Sequence, residues 1–205
     1  MQGFIININR VKDEDLIVTI LTQNGLETLY RFYGARHSSI NIGFLIDFEK
    51  EFSIKSSICR LRDVIHLGFR WIHDIKLLLL WQDFIKLFYK HLKDIDTLDN
   101  FYFDLLMDAS KIWDKQNPKR VAIECYVKLL EYEGRLHTQM ICFLCNEKIE
   151  KNISLVRAFL PTHKKCTHTL EINKKALMYL YETKSTLLLQ DYEIERMWII
   201  LLEGL

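Results

Sequence analysis

Residues 3–33 read GFIININRVKDEDLIVTILTQNGLETLYRFY. Three short runs rich in Ile, Val, Thr and aromatic residues, GFIININ (3–9), LIVTILT (16–22) and LETLYRFY (26–33), are separated by VKDED and by QNG. β-Branched and aromatic side chains suit a pleated, half-buried surface, and Asn-Gly supplies the positive-φ positions of a tight hairpin turn. The stretch therefore predicts consecutive antiparallel strands. Two further runs follow, FLIDFEKEF (44–52) and SICRLRDVIHL (57–67). In the first, Phe44, Ile46, Phe48 and Phe52 recur at even spacing, as one buried sheet face requires. Five short strands in about 65 residues fit a small closed barrel such as an OB-fold, because closure leaves no open edge. An SH3-like barrel fits the pattern almost as well.

Near Trp71 the period changes. Leu77, Leu80, Trp81, Phe84, Leu87, Phe88 and His91 repeat at three and four, which predicts a long helix over about 73–93. Further helices are expected over about 98–115, from Pro118 to Gly134, over 172–184 and over 190–203. Pro118 suits a first turn, and Gly134 suits a helix end. Only two prolines and seven glycines in 205 residues favour such uninterrupted helices. The predicted class is α+β, with a five-stranded OB-fold barrel over residues 1–70 and an all-α domain over 71–205. That second domain is interrupted by a zinc-knuckle-type module at 142–168.

The module reads CFLCNEKIEKNISLVRAFLPTHKKCTH. Cys142 and Cys145 form a C-x2-C pair, which places two thiols on one tight knuckle, and His163 and Cys166 repeat that spacing. Thiolate and imidazole are the ordinary donors of a closed tetrahedral zinc site, so Cys142, Cys145, His163 and Cys166 are the expected structural Zn²⁺ ligands. His168 is the competing histidine, although one residue between it and Cys166 makes chelation tighter. Cys59 and Cys125 lie in periodic apolar segments and read as small buried hydrophobes.

The formal net charge is only +1, yet residues 135–175 carry eight Lys and Arg against three Glu. The surplus surrounds the Cys/His module and includes Lys164 and Lys165. In the barrel, Arg31, Arg36, Arg60 and Arg62 fall on or beside strands, among Tyr30, Phe32, Tyr33 and Phe69. Cations track phosphates and exposed rings stack on bases, so this mixture suits single-stranded nucleic acid. The rings themselves are expected to fill the barrel core, with the arginines on its solvated face. Arg36, in the turn-like GARHSS, has little packing reason to be there and reads as a binding residue. The six candidate DNA-binding residues are thus Arg31, Arg36, Arg60, Arg62, Lys164 and Lys165.

H-x-E, H-E-x-x-H, G-x-S-x-G and a phosphate-loop signature are all missing from the sequence, so no catalytic residue is assigned. Wholly apolar runs such as Leu77 to Trp81 are far short of a membrane span, and MQGFIININRVKDED has no signal-peptide layout. A cytoplasmic protein without membrane partners is expected, where a C-x2-C binds metal more often than it forms a disulfide.

In order, these features resemble RecO, the bacterial recombination mediator family. The resemblance rests on GFIININ, the acidic turn VKDEDLIV with Asp13, Glu14 and Asp15, LTQNGLE, the basic turn Gly34-Ala35-Arg36 with Ser38 and Ser39, and LLEYEGRL leading into CFLC. It implies an OB-fold, a helical second domain and an embedded zinc-type module. It also implies binding of single- and double-stranded DNA, strand annealing, and action with RecR. Engagement of the tail of single-strand-binding protein, and RecA loading on DNA coated by it, are implied as well, and with them a place at the nucleoid. Many members carry a second C-x2-C where this chain has His163-x2-Cys166. A chain that is mainly a protein scaffold with weak DNA contact is the alternative reading, favoured by the near-neutral charge.

Overall fold

A computed structural model describes residues 1–52, 56–95 and 97–205 of the chain. Five strands, β1 (Gln2–Arg10), β2 (Leu16–Thr22), β3 (Gly25–Arg31), β4 (Leu45–Glu51) and β5 (Arg60–His66), close into a barrel of order β1-β2-β3-β5-β4. The β1–β2, β2–β3, β1–β4 and β4–β5 pairs are antiparallel. The parallel pairing of Tyr30 with Arg60 completes the ring. This is the OB-fold topology that the alternating pattern anticipates.

Ile5, Leu16, Val18, Ile20, Leu29, Ile40, Ile46, Phe48 and Leu61 fill the barrel interior. Phe52 does not join them. It lies beyond the end of β4 and is 82% exposed, because the strand that would turn it inward stops at Glu51. Where β4 meets β5 the register shifts between Asp47 and Glu49, and Asp63 takes a left-handed φ of 45°. An extra residue on β5 at this bulge bends the strand that carries Arg60 and Arg62.

Helices α1 (Ile75–Leu92) and α2 (Phe101–Ile112) follow. Asp74 caps α1 by accepting hydrogen bonds from the N–H groups of Lys76 and Leu77, as an N-cap carboxylate should. The chain packs as two compact units, Met1–Asp114 and Lys115–Leu205. The division falls after α2 rather than near residue 70, and Phe4 supplies the reason. β1 is buried on both faces: Ile5 points into the barrel, while Phe4 packs at 6.0 Å from Trp81 and 5.6 Å from Phe103. Trp71, Trp81 and Trp113 complete this aromatic core, and each buries its ring while donating its indole N–H to a backbone carbonyl, of Ser110, Gly43 and Leu77 respectively. Burial therefore leaves none of these three indole donors unpaired.

In the second unit, α3 (Pro118–Tyr132), α5 (Lys174–Thr183) and α6 (Asp191–Leu202) bury Leu129, Leu130, Leu177, Leu180, Met197 and Leu201. Between α3 and α5 lies more β structure than the sequence suggests: β6 (Ile153–Val156), β7 (Leu160–Thr162) and β8 (Glu171–Ile172) form a three-stranded sheet of order β7-β6-β8. A single helical turn, α4 (Lys164–Thr167), sits between β7 and β8. No helix among the described residues is long and apolar enough to cross a membrane.

Candidate metal centre and nucleic-acid interface

The C-x2-C knuckle is a short hairpin. Ile141 bridges to Lys148, Cys142 N–H donates to the Glu147 carbonyl at 2.8 Å, and Asn146 N–H donates to the Cys142 carbonyl at 2.9 Å. Asn146 makes the turn with φ 59°, a conformation Asn tolerates better than most residues. Phe143 N–H donates to the Pro161 carbonyl at 2.8 Å, which ties the knuckle to β7. On the other side, His163 precedes α4 as its N-cap, and Cys166 N–H donates to the His163 carbonyl at 3.0 Å.

These two local structures bring one donor atom each from Cys142, Cys145, His163 and Cys166 within 4.8 Å of one another. His168 is not in the cluster; it terminates α4 in a left-handed conformation. The imidazole is already oriented as a ligand: its Nδ1 lies 3.3 Å from Cys145 Sγ, while Nε2 lies 3.3 Å from the Lys148 carbonyl. A proton on Nε2 serves that carbonyl and leaves Nδ1 free to donate its lone pair to a cation, the usual outer-shell arrangement of a ligating histidine. Burial opposes ionisation of the Cys142 thiol, but the N–H groups of Cys145, His163 and Leu144 outweigh it and hold the thiol at about 6. Burial and the neighbouring Cys142 and Cys145 sulfurs push Cys166 up to about 11. Three sulfurs this close do not all ionise by themselves, whereas a divalent cation at their centre removes that conflict. The donor set and its compactness fit a closed four-ligand site.

The lysines between the ligands are exposed. Lys164 lies 3.9 Å from Glu171 and Lys165 lies 3.3 Å from Glu147, surface pairs worth little energetically. Beside the clip, a groove of about 770 Å³ has Met178, Tyr179 and Leu188 in its wall and Lys151, Lys174 and Lys175 with Glu150 and Glu182 around it.

In the barrel, the four arginines separate into two kinds. Arg31 is half-buried, donating from Nη1 to the Leu61 carbonyl at 2.9 Å, so it helps hold β3 against β5. Arg36, Arg60 and Arg62 reach solvent but each faces a carboxylate, Arg36 pairing with Glu14 and the other two with Glu51. Arg10, Arg36, His37, Ser38 and Asn41 line a cavity of about 390 Å³.

None of the four rings expected in the barrel core is part of it, and two of them turn out to solvent. Phe32 and Tyr33 are 46% and 59% exposed instead of filling the core. β3 ends at Arg31, so strand alternation no longer decides which way the next two rings point. Tyr33 takes φ 51° at the start of a 3₁₀ turn over Gly34–Arg36. Guanidinium groups cover both rings: Arg60 lies 5.1 Å from the Phe32 centroid and Arg36 5.3 Å from that of Tyr33. Phe69, by contrast, is half-buried and stacks at 4.9 Å on Trp71.

Residues 1–72 match the family model described as RecO N terminal. No curated protein matches the chain.

Proposed function

On the premise that residues 1–72 form a RecO-family N-terminal domain, which ties the chain to DNA recombination and repair, we propose that the protein is a non-catalytic recombination mediator. In this reading it binds single- and double-stranded DNA, promotes annealing of complementary strands, and with RecR loads RecA onto DNA coated by single-strand-binding protein. It works at the cytoplasmic nucleoid, with the barrel of residues 1–70 binding DNA. The observation that carries the reading is the group of solvent-reaching guanidiniums, Arg36, Arg60 and Arg62, at one closed OB barrel. Arg31 supports that face by bracing β3 against β5. Lys164 and Lys165 add positive charge beside the clip.

The cation held by Cys142, Cys145, His163 and Cys166 is Zn²⁺ in a structural role. It cross-links the knuckle to α4 and so fixes the direction of the two lysines. The groove bounded by Lys151, Lys174 and Lys175 over Met178, Tyr179 and Leu188 suits the acidic, aromatic-ended tail of single-strand-binding protein. Cations at its edge attract the acidic part and the apolar wall accepts the ring.

The test is titration of fluorescent single- and double-stranded oligonucleotides with the isolated protein over a range of salt. Both should bind, with affinity falling steeply as salt rises, because neutralised phosphates release counterions. Absence of binding by the isolated protein at low salt, with binding restored by RecR, would favour the scaffold reading instead.

A further inference from the structure

Phe32 and Tyr33 stand exposed beside a barrel whose other large side chains are mostly buried, and the chain spends backbone energy to put them there. Tyr33 has no glycine's freedom, yet its φ is 51°. A left-handed conformation is unfavourable for an L-residue with a Cβ. The turn is kept in place from outside: Tyr33 N–H donates to Asp15 Oδ1 at 2.7 Å, and Ala35 N–H donates to the Glu14 carbonyl at 2.9 Å. Strained, over-determined positions of this kind cluster at ligand clamps. Tyr30 meets Phe32 at 4.9 Å with the ring planes 67° apart, so the second ring also has a neighbour within the fold.

Resting on the DNA-binding reading above, we infer that Phe32 and Tyr33, with Arg60 and Arg36 lying over them, form a base-stacking platform that distinguishes single-stranded from duplex DNA. The chemistry separates two kinds of contact. Guanidiniums and phosphates attract whether the strand is single or paired. A ring needs the free face of an unpaired base, which a duplex keeps covered by its own neighbours, whereas every base of a single strand offers one. Arg36 further lines the adjacent cavity with Arg10, so a nucleotide stacked on Tyr33 has guanidinium groups beside it for its phosphate. The platform therefore carries single-strand preference, and the arginines carry general affinity.

The experiment compares Phe32→Leu combined with Tyr33→Asn against the parent, on matched single-stranded and duplex oligonucleotides. Leu keeps apolar area without a π face, and Asn removes the ring while accepting a left-handed φ. Single-strand affinity should fall about 5- to 150-fold, the span for loss of one stacked base, while duplex affinity changes less than about twofold. Phe32→Tyr with Tyr33→Trp should keep single-strand affinity. Arg36→Ala should weaken both substrates. If the parent binds DNA but the double variant loses neither substrate, or loses both equally while its thermal midpoint is unchanged, the platform is wrong. If the parent binds no DNA at all, the premise has failed instead. A double variant that does not fold transfers the decision to Tyr33→Asn alone, which should lower single-strand affinity at least about fivefold; an unchanged value overturns the proposal.

Discussion

Asp15 holds the turn at Tyr33 from across the barrel end: one carboxylate oxygen accepts the Tyr33 N–H at 2.7 Å and the other accepts the Tyr30 hydroxyl at 2.5 Å. The acidic turn between β1 and β2 thus has a structural duty toward the turn after β3. Glu14, its neighbour, pairs with Arg36 in the same place. Acidic residues that look like solvated loop in the sequence set the orientation of the aromatic and basic residues opposite them.

That relationship sets a pH dependence. The Tyr30 hydrogen bond, followed by the Tyr33 N–H, holds the Asp15 carboxyl below its ordinary value of 3.8. A carboxylate with a depressed folded value contributes stability that is present above the ordinary value and is lost as pH falls through the folded one. The same bond holds the Tyr30 hydroxyl above its ordinary 10.0, so that contribution fades as pH rises through the raised value. Asp15→Asn should therefore lower the urea midpoint of the parent at pH 7. The deficit should shrink well below pH 3.8 and again in strong alkali. A deficit that stays constant from pH 7 down to pH 2 would show that charge on Asp15 is irrelevant to the turn.

Glu51 faces both Arg60 and Arg62, at 3.6 and 2.9 Å. Glu51→Gln removes one anion that competes with DNA phosphates for two cations. Affinity for single and double strands should rise, and for single strands the slope of log affinity against log salt should steepen by about 0.7 for each phosphate newly neutralised. Arg60→Ala with Arg62→Ala should flatten it by a comparable amount. Equal slopes in all three proteins would place DNA elsewhere on the chain.

The barrel and the clip were legible in the residues for different reasons. GFIININ, LIVTILT and LETLYRFY carry a period of two that a sheet must satisfy, and Asn24-Gly25 marks the hairpin. Cys142, Cys145, His163 and Cys166 are legible because donor atoms need short spacings to meet, and the structure brings all four together within 4.8 Å. The small sheet of β6, β7 and β8 was not legible, since strands of two to four residues are too short to show a period. Nor was the exposure of Phe32 and Tyr33: it depends on a left-handed turn fixed by Asp15, eighteen residues earlier in the chain. The ion pairs of Arg36, Arg60 and Arg62 are equally invisible, because their partners come from a preceding turn and a neighbouring strand. Phe4 packing on Trp81 is a contact of the same non-local kind, and it draws α1 and α2 into one unit with the barrel.

Metal removal should act on one unit. Purified protein should carry about one zinc per chain. A strong chelator should cost the Lys115–Leu205 unit the binding free energy of the site, which is ~10 kcal/mol or more in small zinc peptides, much of it offset here by the surrounding fold. In calorimetry the transition of that unit should move down or disappear, while the barrel strands keep their hydrogen-exchange protection. Cys142→Ser should reproduce the loss. His168→Ala should retain zinc and His163→Ala should not; the reverse pattern would reassign the fourth ligand.

Gly43 tests the aromatic core from the backbone side. Its φ is 88°, and an added Cβ would lie 2.7 Å from Trp81 Cδ1 and 3.0 Å from Nε1. The same tryptophan donates its indole N–H to the Gly43 carbonyl at 2.8 Å, so it cannot retreat without breaking that bond. Gly43→Ala combines a left-handed backbone penalty of roughly 1–2 kcal/mol with overpacking of about 1–3 kcal/mol. The Met1–Asp114 unit should lose ~2–5 kcal/mol in chemical denaturation followed by far-ultraviolet circular dichroism. Gly25→Ala, where the added Cβ meets nothing within 4 Å although φ is 125°, isolates the backbone part and should cost less. Equal losses at the two positions would mean that Trp81 yields freely and that the core is looser than its packing indicates.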